Sequence, residues 1–231
     1  MISIIIPTYN EADQIANTIT KIRAGQGSFE IEIIVTDGGS SDATVRIAQQ
    51  LDVIVIECER KGRAAQMNIG ASAARHDILY FIHADSIPPD NFGSMIITAL
   101  DQGAKAGCFR LQFDNDHWFL KANAWFTRFN VNAVRFGDQS LFVLKDVFDK
   151  SGRFNEGLIM MEDQEIIHRL KRQGKFVVIN NFVITSARKY IDNGIYRMQG
   201  IFYLIWAMYY LGISQTLMLR IYRRLIMKHK L

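Results

Sequence analysis

Apolar residues fall first in short continuous runs along this chain and only later at helical spacing. Ile2 to Ile6 is a run rich in β-branched residues, which predicts a strand. The polar PTYNEAD follows it, and Ile15, Ile19 and Ile22 then recur at the spacing of one helix face. A second predicted strand, Ile31 to Val35, ends in TDGGSSDAT and leads into a helix through about Gln50, with a third strand at Val53 to Ile56. This βαβαβ rhythm predicts a parallel sheet. Gly62 to Ala74 holds helix formers of little bulk, and Asp77 to Ile82 (DILYFI) is apolar almost throughout, as a strand buried on both faces is. That strand ends in His83-Ala84-Asp85.

Beyond this point the rhythm changes to α+β. The pattern predicts a helix over 88–102 with Pro88 and Pro89 at its start, a strand over 104–113 and an aromatic-rich helix over 117–133. Two further strands, 140–144 and 176–184, flank a helix over 163–172. The aromatic residues Trp118, Phe119, Trp125, Phe126 and Phe129 are read as core, the usual meaning of aromatics at helical spacing, with cover for a lipid or flat acceptor as the other reading. The tail predicts two helices, 193–211 and 214–228, with Ser214 capping the second.

Composition adds the class. Of 231 residues 49% are hydrophobic and 22% charged, so a large core forms and disorder is not indicated. Cys58 and Cys108 lack CxxC spacing, which predicts reduced, buried thiols. MISIIIPTYNE has neither a basic start nor a long apolar stretch, so the expected location is the cytoplasm. Positive charge collects late: residues 188–231 hold eight Lys and Arg against one acid, Asp192. From Gln199 to Leu219 there is no charge at all, a length able to cross a bilayer of about 30 Å, but Gly212, Ser214, Gln215 and Thr216 interrupt it. Ile201 to Leu211, apolar on every side, is expected to be buried against the domain, a second copy or the inner face of the cell membrane. Nucleic acid is not the expected partner, because the basic residues accompany an apolar tail and not an aromatic-studded groove.

Three polar loops end buried strands, where ligands of doubly wound sheets bind. Asp37 suits a base N–H or a ribose hydroxyl, while Ser41 and Asp42 either touch ligand or cap the next helix. Asp85 offers oxygen to a divalent ion on a diphosphate; His83 is a second ligand or a hydrogen-bonded strand-end histidine. Arg63, after Lys61 and Gly62, faces phosphate or solvent. Glu162, Asp163 and Glu165 complement a helix dipole, but the apolar GLIMM before them also places Glu162 and Asp163 where a carboxylate becomes a useful base.

IIIPTYNE, TDGGSSDAT, HAD and the pair Glu162-Asp163, in this order, resemble the opening strand, second loop, metal-binding Asp-x-Asp and catalytic pair of the family-two inverting glycosyltransferases. The resemblance covers essentially the whole chain. It implies an α/β GT-A (nucleotide-diphospho-sugar transferase) fold, a mostly parallel central sheet flanked by helices with a C-terminal helical tail. The implied catalytic domain is 1–190, its nucleotide half 1–102 and its acceptor half 103–190, with the tail at 191–231. Carried over by position, Pro7, Tyr9, Glu11, Asp37, Arg63 and Ala84 bind the nucleotide, and Asp85 with His83 holds Mg2+ or Mn2+. Asp163 is the general base and Glu162 its fallback; Gly137, Asp138 and Gln139 form the acceptor-side loop and Arg188 reaches the diphosphate. The implied donor is a UDP-sugar and the acceptor a small or lipid-linked hydroxyl compound. KGRAAQMNIGA, FGDQ, TSAR and the YYLGIS…LRIYRR tail further resemble a bacterial subfamily with members assigned to arsenosugar biosynthesis. A sugar nucleotidyltransferase is the competing enzyme, but PTYNEAD is not the glycine-rich basic loop it needs; a non-catalytic nucleotide-sugar-binding or membrane scaffold is the competing non-enzyme.

Overall fold

The computed structural model describes residues 1–60, 62–132 and 137–227. The first half follows the expected rhythm: β1 (Ile2–Thr8), α1 (Ile15–Gly25), β2 (Ile31–Asp37), α2 (Thr44–Gln49), β3 (Ile54–Glu57), α3 (Arg63–Ala73) and β4 (Ile78–Phe81). The second half runs β5 (Ser86–Ile87), α4 (Phe92–Asp101), β6 (Ala104–Phe113), α5 (Trp118–Phe126), β7 (Leu141–Leu144), α6 (Lys145–Lys150), α7 (Glu162–Gln173) and β8 (Lys175–Thr185). Three helices close the described chain, α8 (Arg188–Asn193), α9 (Ile195–Tyr210) and α10 (Gln215–Leu225).

All eight strands join one sheet in the order β3-β2-β1-β4-β7-β6-β8-β5. The first four are parallel, β7 runs antiparallel to both neighbours, and β8 returns parallel to β6. The chain winds outward from β1 to β3, then crosses back to place β4 on β1's other side. Loops leaving β1 and β4 therefore diverge, opening the crevice in which such sheets bind ligands. Ile4 and Ile6 pack with α1 and α4 residues such as Ile19 and Phe92 on one face. Ile5 packs with Met67, Ile166 and Leu170 from α3 and α7 on the other. Cover on both faces is why the strands read as unbroken apolar runs.

Several expectations are corrected. The helix expected at Pro88 begins at Phe92, because Asn91 in the left-handed region turns the chain first. The helix expected over 117–133 is regular only over Trp118–Phe126, with residues 133–136 outside the described set. Its buried side chains are Leu120 and Ala124, and Trp118, Trp125, Phe126 and Phe129 are exposed, so these aromatics are surface and not core. β5, α6 and α8 were not foreseen. Ser214 stands at the N-cap of α10 without a side-chain capping bond; Lys228, the expected helix end, is outside the described residues. Cys108 is buried and Cys58 half-buried, both free thiols.

Residues 201–211 are not buried all round either. Met198, Ile201, Ile205 and Met208 of α9, with Met218 and Tyr222 of α10, share a third apolar cluster with Leu111 and Phe113 of β6 and Leu120 of α5. The opposite side of α9 is open, Leu211 being 78% exposed. No helix among the described residues is long and apolar enough to cross a membrane.

Gly107 marks the tightest point of the sheet. A Cβ there would lie 2.4 Å from Cζ of Phe142 and 2.6 Å from the Val177 carbonyl oxygen. Gly107→Ala is expected to lower the unfolding free energy by about 1–3 kcal/mol or more, as overpacking does; a urea midpoint equal to that of the parent chain would contradict this packing.

Candidate active site

The loops after β1 and β2 are stitched together by side chains. Asn10 Oδ1 accepts from the Ser41 amide at 2.8 Å, Ser40 Oγ accepts from the Asn10 amide at 2.8 Å, and Thr44 Oγ1 accepts from the Glu11 amide at 2.8 Å. Asp37, 1% exposed, is the hub. Its Oδ1 accepts from Thr8 Oγ1 at 3.0 Å and from Ser40 Oγ, and its Oδ2 accepts from the amides of Gly39 and Ser40 at 2.9 and 2.7 Å. Four bonds engage both oxygens, so this carboxylate shapes the loop from within. Asp42 accepts from the Thr44 amide at 3.0 Å beside the start of α2, the helix-start role weighed for it, and from the Ala12 amide at 3.2 Å. Pro7 is buried in β1 and Tyr9 is exposed at its end.

Arg63 opens α3 and reaches toward α7 with its side chain 40% exposed. Its Nε donates to Glu162 Oε1, its Nη2 to Asp163 Oδ2 at 3.0 Å, and its Nη1 lies 3.3 Å from His83 Nε2. His83 Nδ1 is 3.0 Å from Asp138 Oδ1. A line of five polar side chains thus runs from α7 through α3 and the end of β4 to the Gly137–Gln139 turn. Glu162 is fully buried, and its second oxygen, Oε2, has no hydrogen-bond partner among the described residues. Asp163 lines a narrow cleft with His83, Met67, Phe81, Ser140 and Leu141. α7 receives both acids because Met161 adopts a left-handed conformation before it (φ 68°), and three acids in its first turn complement its dipole.

Charge sharing moves several titrations. Burial and neighbouring Asp163 hold the Glu162 carboxyl above its ordinary value, against the pull of Arg63. Burial works against the Arg63 cation, but Glu162 and Asp163 outweigh it and raise its pKa further. His83 is raised as well: burial opposes its charged form and the hydrogen bond to Asp138 overcomes that. Asp138 is lowered, burial notwithstanding, by the same bond.

A second cluster lies beyond β4. Arg188 Nη2 donates to Glu11 Oε2 at 3.1 Å and stands 3.8 Å from Asp85 Oδ2. Burial raises the Asp85 carboxyl, with Asp138 and Glu11 adding to the effect. Ala84 is buried and its carbonyl accepts from Thr18 Oγ1 at 2.6 Å. Gln139 is turned inward, its Nε2 donating to the Phe109 carbonyl at 3.0 Å. Phe136 and Lys61, parts of the motifs around Gly137 and Arg63, lie outside the described residues. Among the described residues no group of three His, Cys, Asp or Glu is arranged to hold a metal. Both His83 ring nitrogens face other side chains, which leaves Asp85 as the candidate oxygen ligand. Mg2+ sites with one or two carboxylates are completed by substrate phosphates and water, and Asp85 fits that pattern.

Sequence reasoning missed four organising residues. Gln66 Nε2 donates to the Thr8 and Thr36 carbonyls at 2.7 Å each, pinning α3 to the ends of β1 and β2. Asn68 bonds both the amide and the carbonyl of Phe154, at 3.0 and 2.9 Å. Gln215 Oε1 accepts from the amides of Ile159 and Met160 at 3.1 and 3.0 Å, and Tyr210 donates to Gln164 at 3.1 Å, so the tail grips the approach to Asp163. The available signal was amide side chains inside otherwise small or apolar helices.

A carboxyl whose folded-state pKa is raised favours folding below its unfolded value and loses that contribution as pH climbs through the folded value. Glu162 therefore weighs against folding at neutral pH. Glu162→Gln is expected to gain stability over the parent chain as pH goes from about 4 to 7; thermal melts whose difference is flat over that window would refute the raised carboxyl.

Residues 3–155 match the family described as Glycosyl transferase family 2. Glycosyltransferase AglE of Haloferax volcanii is 28% identical over 188 residues, covering 74% of this chain and 60% of AglE. Succinoglycan biosynthesis protein ExoA of Rhizobium meliloti is 27% identical over 192 residues, covering 74% of this chain and 58% of ExoA. The chain thus spans about 60% of the length of these curated relatives. Among solved structures, the mannosyltransferase PcManGT of Pyrobaculum calidifontis in complex with GDP-Man and Mn2+ superposes with a TM-score of 0.69 at 18% identity, over 88% of this chain and 61% of that one. S. aureus TarS 1-349 in complex with UDP-GlcNAc superposes at 0.68 and 17% identity, over 80% and 58%. The shared architecture is the GT-A fold. A match over residues 3–155 takes in well over half of the 231 residues, and the chain belongs to glycosyl transferase family 2.

Proposed function

We propose that the chain is an inverting glycosyltransferase that moves a sugar from a nucleoside-diphosphate donor, with a UDP-sugar preferred, to an acceptor hydroxyl in one displacement. The observation that carries this reading is the contrast within the acidic pair: Asp163 lines the cleft, while Glu162 is sealed beneath it and held by Arg63. Asp163 takes the acceptor proton as the hydroxyl oxygen attacks the anomeric carbon, the bond from that carbon to the diphosphate oxygen breaks on the opposite face, and the nucleoside diphosphate departs. Arg63 orients Asp163 through their 3.0 Å contact, and Arg188, drawn from Glu11, meets the charge on the diphosphate. Mg2+ or Mn2+ held by Asp85 and the diphosphate oxygens would stabilise that same leaving charge.

Tyr9 and the loop shaped by Asp37 bind the base, with Asp37 acting through loop geometry because its oxygens are engaged. Glu11 and Pro7 complete that side, and Asp138 orients His83 at the acceptor side. Fold neighbours solved with UDP-GlcNAc and with GDP-Man and Mn2+ favour UDP or GDP as the nucleotide. The acceptor is a small or lipid-linked hydroxyl compound; kinship with the bacterial subfamily that includes arsenosugar enzymes is part of the same proposal. Residues 1–190 would form the catalytic unit and the remainder its tail.

Calorimetric titration with UDP, GDP and dTDP, with and without Mn2+, tests the donor site. One nucleotide should bind with metal dependence, and Asp85→Ala should abolish that dependence. No binding of any nucleotide supports a non-catalytic scaffold instead.

Asp163→Asn is expected to bind the same nucleotide as tightly as the parent and to slow donor turnover by about 10²–10⁴-fold, the usual contribution of a general base. Turnover that survives in Asp163→Asn and falls in Glu162→Gln would transfer the role to Glu162.

A further inference from the structure

We propose that the outward face built by α5, α9 and α10 docks on an anionic phospholipid surface. On α5, Trp118, Ala122 and Trp125 recur at i, i+4 and i+7 and are exposed, and Phe129, just past the end of the helix, is exposed as well. Trp118 is 64% exposed. The stripe continues onto α9: the Tyr196 ring lies 4.9 Å from that of Phe119 and 6.4 Å from that of Trp118, and Tyr203 donates to Asn123 of α5 at 2.7 Å. Tyr203, Leu204 and Leu211 extend the exposed face along α9. Trp and Tyr, with an apolar body and a polar tip, suit the boundary between acyl chains and headgroups.

Basic charge borders this aromatic face. α10 turns Met218 and Tyr222 inward and presents Arg220, Arg223 and Arg224 outward. Arg197, next to Tyr196, donates to the Leu225 carbonyl at 2.7 Å, so the end of α10 that carries Arg223 and Arg224 meets the aromatic end of α9. No acid occurs after Asp192 in the sequence, and Asp116 beside α5 is paired with Lys121 at 2.7 Å. An apolar aromatic face with a basic flank and no membrane-crossing helix is the form of an element that lies in the plane of an interface.

The same charge pattern argues against a second copy as the occupant. A two-fold contact sets the same patch against itself, which here would bring two sets of arginines together, while Asp116 beside α5 is already paired with Lys121. Anionic headgroups supply the missing charge.

Co-sedimentation of the full chain with vesicles of neutral phosphatidylcholine and of phosphatidylcholine with phosphatidylglycerol tests the proposal without donor or acceptor, so its outcome is separate from that of the transferase reading. Binding is expected with the anionic vesicles, weakened by added salt. Neutralising Arg220, Arg223 and Arg224 together with Gln should weaken it on the order of a hundredfold, roughly fivefold per charge. Trp118→Ser with Trp125→Ser should weaken it as well, with far-ultraviolet circular dichroism and a cooperative melt retained because neither side chain belongs to a buried cluster. The proposal is overturned if the chain stays in the supernatant at low salt, if neutral vesicles bind it equally, or if the arginine variant binds like the parent. A micromolar dimer in sedimentation velocity that the tryptophan substitutions dissociate overturns it too, and assigns the face to a second copy.

Discussion

Arg63 ties the first half of the chain to the acidic pair of the second, alongside the His83–Asp138 and Glu11–Arg188 contacts. It comes from the helix after β3, and its partners come from the helix before β8 and from the end of β4. A guanidinium offers five donors in a rigid fork, so one residue can meet a buried acid, a cleft-lining acid and an imidazole at once. Glu162 depends on it most. A fully buried carboxylate with only one of its oxygens bonded is tolerable because that bond goes to a cation; without Arg63 an uncompensated charge would remain inside the protein. Glu162 in turn fixes the start of α7 and with it the position of Asp163. Geometry at the cleft therefore rests on a residue that is itself remote in sequence from the acids it holds.

The fold was legible where burial on both sheet faces left no room for polar residues. β1, β2 and β4 announce themselves as largely apolar runs, and their ends supply the three polar loops. Three short elements, α6 and α8 of six residues each and β5 of two, are not legible because no period repeats in them, whereas the equally short α2 is legible from its place between two apolar runs. α5 shows a different limit. Leu120 and Ala124 lie at helical spacing and so do Trp118, Ala122 and Trp125. Periodicity identifies two faces, but only the surroundings decide which one turns inward, and here the smaller side chains do.

At the site, the sequence marks strand ends and helix starts but not which side chains meet there. Asp37 sits at the predicted strand end, yet its oxygens are spent on Thr8 and on its own loop. Arg63, read toward phosphate, a base edge or solvent, also joins the acidic pair while its side chain stays 40% exposed. These partners lie 29 and about 100 positions away in sequence, and no local pattern encodes a contact of that separation. The same holds for Gln215, whose single oxygen takes two amides from the loop before α7.

That last contact changes what the tail means. Residues from Gln199 to Leu219 carry no charge, and apolarity on every side of a helix ordinarily signals full burial. In α9 one side, Met198, Ile201, Ile205 and Met208, completes the third cluster. The outward aromatic side touches α5 through Tyr196 and Tyr203 yet keeps about half of those side chains exposed, more apolar surface than these contacts cover. Meanwhile Tyr210 and Gln215, at the turn between α9 and α10, hold the segment that leads to Asp163. The helices that present the aromatic and basic face are thus the ones that fix the approach to the cleft, and a surface bound there would lie directly against the elements that position the base.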